Sequence, residues 1–219
     1  MKRRKFVVTG SLGLMAIHPA SGSARGFQEK KQYVCPPCGC RMDNEVHDEA
    51  GICPGCNMPR VEKTPELREV KSIFTFTRVS DKVWTGGQPT LEQMDTLKTE
   101  GVKLVINLRP ASEHNGEVEE ARMKELGIRY INIPVVYLKP TDEDADRFLK
   151  VTDAELKNDR VLIHCTAAVR VSAFMMIRRV LRDGWEYDKA LEEANKNGLR
   201  NREHLINFAK AYIEKNQKK

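Results

Sequence analysis

From about residue 72 onward the chain alternates short apolar runs with longer amphipathic stretches. Val102 to Leu108 and Val161-Leu162-Ile163 are apolar enough to form strands covered on both faces, as in a parallel sheet, and Ile128 to Val136 reads as a further strand. Ile73 to Val79 and Lys82 to Trp84 read as a strand pair around a Ser80-Asp81 turn. Between these runs lie stretches of helical length. Thr90 and Gln93 form a capping box for a helix through Lys98 that Gly101 ends. Glu117 to Leu126 is a second helix, stopped by Gly127, and Asp142 to Lys157 a third. Val171 to Leu181, Tyr187 to Asn197 and Arg202 to Lys215 complete the set. Strands alternating with helices predict an α/β domain whose mostly parallel sheet is flanked by helices on both faces. Its active crevice would lie at the carboxyl ends of the strands. The roughly 150 residues involved suffice for one core, and no internal repeat interrupts them.

The first 71 residues follow neither rhythm. Lys2-Arg3-Arg4-Lys5, then the modestly apolar Phe6 to Ile17, then Ala20-Ser21-Gly22-Ser23-Ala24 have the layout of an export signal, of twin-arginine type at Arg3-Arg4. An apolar stretch of about 12 residues is too short to span a bilayer core of about 30 Å. Charge is affected too. The chain carries 37 Lys+Arg against 31 Asp+Glu, and the signal holds four of the former and none of the latter. Without it the balance is 33 against 31, a net +2, which gives no basis for nucleic-acid binding. The expected product is exported, periplasmic or extracellular, with no membrane span once the signal is removed. The sequence carries no sign of its oligomeric state.

After a polar linker over 25–32, cysteines dominate. Cys35-x2-Cys38 and Cys53-x2-Cys56 are separated by 14 residues, a spacing suited to a tetrahedral thiolate site for structural zinc. So short a segment also has little apolar material to fold without a staple. Two alternatives stay open: disulfide pairing in an oxidising compartment, and Cys40 or His47 replacing one of the four ligands. A charged, proline-containing stretch over 63–71 then leads into the α/β domain. The organisation expected is therefore a signal over 1–24, a linker over 25–32, a zinc-ribbon-like metal-binding module over 33–62, a linker over 63–71 and the α/β domain over 72–219.

Candidate chemistry concentrates in Val161 to Ser172, which reads VLIHCTAAVRVS. A buried strand ends at His164 and Cys165, small residues follow, and a helix begins near Val171, so Thr166 to Arg170 should be a strand-to-helix loop. Such a loop aims backbone N–H groups, backed by a helix N-terminus, at one point where an anion belongs. A cysteine at its mouth, near a guanidinium, has its thiolate stabilised, which can bring its pKa from about 8.5 to roughly 3.5–7.5. Cys165 is thus a candidate nucleophile.

These residues carry a resemblance. His164-Cys165-Thr166-Ala167-Ala168-Val169-Arg170 resembles the phosphate loop of cysteine-dependent phosphatases of the dual-specificity type, and more narrowly is similar to the bacterial beta-lactamase-hydrolase-like branch. Trp84-Thr85-Gly86-Gly87-Gln88-Pro89-Thr90 and Val105-Ile106-Asn107-Leu108-Arg109 extend the match, over about residues 72 to 215. The resemblance implies that Cys165 attacks phosphorus, that Arg170 clamps the phosphoryl oxygens, and that the backbone of Thr166, Ala167, Ala168 and Val169 cradles them. It implies no cofactor for this domain, and a phosphorylated protein or small molecule as substrate. Two positions depart from the general pattern: four residues instead of five separate cysteine from arginine, and Ala168 stands where glycine is usual. A four-residue spacing is also similar to rhodanese-type sulfurtransferases.

Phosphatases of this type place an aspartate after the strand that here ends at Ile133-Pro134-Val135. Val136 to Pro140 supply none. Thr141 with Asp144 reads as a helix cap, so no acid is assigned and Asp142 stands as the best candidate. His164 is expected to orient the loop from beneath. The cysteine-rich segment in turn resembles the heavy-metal-binding module of bacterial metal-efflux components, at Tyr33, Cys35, Pro36, Gly51, Cys53, Pro54, Cys56 and Met58. Three functions follow as expectations. The first is an exported phosphatase working through a phosphocysteine; the second is a rhodanese-like sulfurtransferase with a persulfide on Cys165; the third is a non-catalytic metal-binding protein with a relic phosphatase domain.

Overall fold

In the computed structural model, which describes residues 31–35, 42, 45–55, 57–113 and 116–217, the first three strands are short. β1 (Tyr33–Val34), β2 (Val46–His47) and β3 (Val61–Glu62) form an antiparallel sheet in the order β2-β1-β3. Cys35 follows β1 directly. Cys53 lies in a hairpin closed by the Asn57 N–H on its carbonyl at 2.8 Å and by an Ile52–Pro59 bridge. Both cysteines are buried and pack in one cluster with Met42 and Met58. Cys38, Cys40, Cys56 and the expected signal lie outside the described residues. Among the described residues no three metal-binding side chains converge, and no helix is long and apolar enough to cross a membrane.

The apolar runs of the larger domain become β4 (Thr77–Arg78), β5 (Val83–Gly86), β6 (Val102–Asn107), β7 (Arg129–Asn132) and β8 (Arg160–His164). Their spatial order is β4-β5-β8-β6-β7, parallel except for the edge strand β4. β8 is central, and its Val161, Leu162, Ile163 and His164 have no exposed surface. Successive strand residues point to opposite faces, and two cores result. Leu104, Ile106, Val161 and Ile163 pack beneath α3 (Asp142–Glu155), α4 (Val169–Leu181), α5 (Tyr187–Ala194) and α6 (Glu203–Gln217). Val102, Val105 and Leu162 face α1 (Leu91–Thr99) and α2 (Gly116–Leu126), together with Trp84. Full burial of each such side chain contributes about 1.5–3 kcal/mol. The α/β class, the mostly parallel sheet and the flanking helices are as the periodicity predicts, and both Thr90 and Thr141 make their capping boxes.

Several boundaries differ for local reasons. Of Ile73–Val79 only Thr77–Arg78 pairs as strand, because Thr75 has a left-handed backbone (φ 54°) and Phe74 instead accepts the Gly87 N–H at 2.7 Å. β7 stops at Asn132, just ahead of Pro134, which has no N–H to extend the ladder. The fifth helix ends at Ala194 in a wide turn, with Gly198 at φ 127°. The helix after Cys165 begins at Val169, two residues earlier than the apolar pattern suggests, because Ala168 takes the left-handed conformation (φ 63°) as its N-cap.

Candidate active site

Cys165 is the residue at which β8 leaves the sheet. Its N–H donates to the Gly86 carbonyl at 3.3 Å, the last rung of the β5–β8 ladder. The chain then passes through Thr166, Ala167 and Ala168 into α4, whose first N–H groups, from Val169 onward, have no partner within the helix. The Gly86-Gly87 pair supports this turn from outside. Gly87 forms a bridge with Ala167, and the Gln88 N–H donates to the Thr166 carbonyl at 3.1 Å. A Cβ on Gly87 would lie 2.8 Å from the Thr166 oxygen and 3.0 Å from the Phe74 oxygen, so the motif around residue 87 is a mould for the loop. Gly198 plays the same part from the helix side, where an added Cβ would sit 3.1 Å from that of Ala168.

Beneath the loop lies a buried polar network. His164 Nε2 is 2.7 Å from Glu119 Oε1, with both side chains nearly fully buried. The other Glu119 oxygen accepts from Gln88 and Asn107, each at 3.2 Å. The Arg109 guanidinium donates to Gln88 at 2.7 Å and to the Glu113 carbonyl. Burial lowers the Arg109 pKa, and the Glu113 and Glu119 carboxylates offset part of that cost. Tyr130, bonded to Asn107 at 3.0 Å, is pushed well above its ordinary range by burial and by the Glu119 charge.

Above the loop, Arg170 turns back from the first turn of α4. It donates to the Val135 carbonyl at 2.9 Å and to the Thr166 hydroxyl at 3.0 Å. Two further N–H groups meet the Glu113 carboxylate, at 2.9 and 2.6 Å. Burial opposes the Arg170 charge, but the Glu113 carboxylate and the Cys165 sulfur outweigh it, so its pKa is raised. A cavity of about 350 Å³ ends on this group, lined by Cys165, Thr166, Ala167, Val169 and Arg170 of the loop, with Glu113, Tyr137 and Arg202 as walls. Cys165 is 1% exposed and still forms part of that lining.

Of the residues picked out by the sequence, Cys165, Thr166, Ala167, Val169 and Arg170 meet at this cavity. Ala168, also expected to cradle phosphate, is fully buried and supplies the turn beneath it. Asp142 is elsewhere: its carboxylate pairs with Lys215 at 2.5 Å and does not line the cavity. Glu113 and Glu119 were not foreseen. The usable signal was position alone, since both follow β6 just beyond the carboxyl edge of the sheet.

Residues 57–213 match the family model described as a DSP-PTPase phosphatase fused to NAD+ kinase. The chain belongs to this phosphatase family. A beta-lactamase hydrolase-like protein of Xylella fastidiosa is 23% identical over 107 residues, 47% of this chain and 24% of that protein, so the chain spans about a quarter of the relative's length. A DUF442 protein of Shewanella putrefaciens CN-32 superposes with a TM-score of 0.55 at 25% identity, covering 70% of this chain and 95% of its own. TpbA of P. aeruginosa, solved in complex with pTyr, gives a TM-score of 0.52 at 21% identity, over 64% and 83% of the two chains. The fold is that of the cysteine phosphatases. The cysteine-rich residues ahead of position 57 fall outside the family match.

Proposed function

We propose that this phosphatase hydrolyses phosphate monoesters through a phosphocysteine on Cys165. The observation that carries this reading is the arrangement of Arg170, which folds back from its helix to reach Thr166 and lines the same cavity as Cys165. The Cys165 thiolate attacks phosphorus. The guanidinium and the N–H groups of Thr166 to Val169 hold the equatorial oxygens where negative charge accumulates. His164, held by Glu119 beneath, fixes the base of the loop so that the sulfur meets the phosphorus in line.

Tyr137 and Val169 give the cavity wall apolar surface, and Arg202 adds a cation. That combination suits a phosphorylated aromatic side chain or a small aryl phosphate, with a second anionic group near Arg202. Phosphorylated peptides are the proposed substrate class, in keeping with the pTyr complex of TpbA.

We further propose that the protein is exported, and that Cys35, Cys38, Cys53 and Cys56 hold a structural zinc ion. Support for the metal comes from the convergence of buried Cys35 and Cys53 in a segment whose strands are only two residues long. When bound, the ion would supply the cross-link that so small a core lacks.

The test is the hydrolysis of p-nitrophenyl phosphate by the chain and by Cys165→Ser. Activity abolished by the substitution, with unchanged circular dichroism, is expected. Retained activity, or transfer of sulfur from thiosulfate to cyanide in place of ester hydrolysis, would overturn the reading.

A further inference from the structure

We propose that Glu113 is the acid that protonates the leaving group, and that it occupies the phosphoryl seat on Arg170 until substrate displaces it. The proposal rests on the phosphatase reading above and adds the proton donor that reading lacks.

Three observations converge on this residue. First, among the described residues Glu113 is the one acidic side chain lining the cavity that ends at Cys165. The loop after β7, where the acid was sought, offers Tyr137 and carries no carboxylate, and Asp142 is committed to Lys215. Second, the Glu113 carboxylate takes both terminal nitrogens of Arg170, at 2.9 and 2.6 Å, and the Thr166 hydroxyl at 3.2 Å. Two parallel N–H donors plus a hydroxyl are what two oxygens of a phosphoryl group would use. Third, the side chain and backbone of Glu113 are held differently. Its carbonyl is fixed by Arg109, whereas its side chain is 31% exposed, so the carboxylate can leave Arg170 while the residue stays at the rim.

Displacement changes the proton balance. Arg170, Arg109 and Arg202 face Glu113 around the cavity, with Cys165, Thr166 and Tyr137. Once a phosphoryl dianion claims Arg170, Glu113 loses its strongest cationic partner and gains a neighbour of like charge. In the first half-reaction the Sγ–P bond forms as the P–O bond breaks, and the departing oxygen takes the Glu113 proton. In the second, a water oxygen attacks phosphorus and its proton returns to the Glu113 carboxylate. The S–P bond then breaks, and thiolate and hydrogen phosphate are released.

Two esters and one ligand test this on the full chain. Glu113→Gln keeps the shape and a hydrogen bond to Arg170 but cannot give a proton. Its kcat should fall about 10²- to 10³-fold on phenyl phosphate. The loss should be less than about tenfold on 2,4-dinitrophenyl phosphate, whose leaving group departs unprotonated, and the alkaline limb of the pH–kcat profile should vanish. Glu113→Asp should restore part of the phenyl phosphate rate. Inorganic phosphate should bind Glu113→Gln more tightly than the unsubstituted chain, since the competing carboxylate charge is gone.

Equal losses on both esters with weakened phosphate binding would make Glu113 a positioning residue for Arg170 and overturn the proposal. Undiminished hydrolysis of phenyl phosphate would overturn it as well. Should the unsubstituted chain cleave neither ester, the phosphatase reading itself falls and takes the proposal with it.

Discussion

Arg170 and Ala168 show how closely single residues are set in this site. Arg170 makes planar, paired contacts that an ammonium cannot reproduce. Arg170→Lys should therefore lower kcat/KM by about 10²- to 10³-fold, read by steady-state kinetics on p-nitrophenyl phosphate. Ala168 sits at φ 63°, a conformation costing an L-residue roughly 1–2 kcal/mol. Ala168→Gly should relieve part of this and raise stability by about 0.5–1 kcal/mol in urea unfolding. Gly198→Ala should do the reverse by about 2–4 kcal/mol, because φ 127° is closed to most side chains and the new Cβ would press on Ala168 and Thr75. The sequence made Cys165 and Arg170 legible because strand, small residues and helix follow one another along the chain. Glu113 was not legible, because what marks it is a partner 57 positions away.

The clasp between α3 and α4 can be tested by pH. Asp153 on α3 accepts from Arg178 at 2.7 Å and from Arg182 at 2.8 Å, both on or just beyond α4. Its partial burial raises the carboxyl pKa, but the two guanidiniums outweigh that effect and bring it below the ordinary 3.8. A carboxyl depressed in the folded state stabilises the fold fully above its unfolded value, and that contribution fades as pH falls through the lower folded value. Asp153→Asn should thus cost about 1 kcal/mol at neutral pH, and the difference from the unsubstituted chain should close toward pH 3 in urea midpoints. A constant difference across that range would place its origin in packing. The element pattern was readable wherever one face was apolar, as in β8 or at the Thr90 and Thr141 caps. Where tertiary contacts overrode it, as at Thr75 or the early start of α4, a local pattern had nothing to report.

At the scale of the whole molecule, a sheet closed by helices on both faces presents its carboxyl edge as a preformed cup, and a small cysteine-rich sheet precedes it. The linker between them is tied to α1 through Lys63 and Glu92, 2.9 Å apart. If the proposed zinc is bound, its removal by a chelator should melt the cysteine-rich segment, seen as loss of amide protection over 33–62, and leave kcat for aryl phosphate unchanged. Protection that survives chelation, or a chain purified without bound metal, would favour a disulfide framework. The α/β class is legible in the sequence because two hydrophobic periods alternate over a long stretch. The role of the Gly86-Gly87 pair as a mould for the loop became visible only once β5 and β8 lay side by side.

The central claim, that phosphate passes through the Cys165 sulfur, is tested most directly by acid-quenched mass spectrometry of the chain during turnover of an aryl phosphate. A phosphoryl group on the peptide bearing Cys165, absent from Cys165→Ser, is the predicted result. Full turnover with no modified Cys165 at any time point would contradict it.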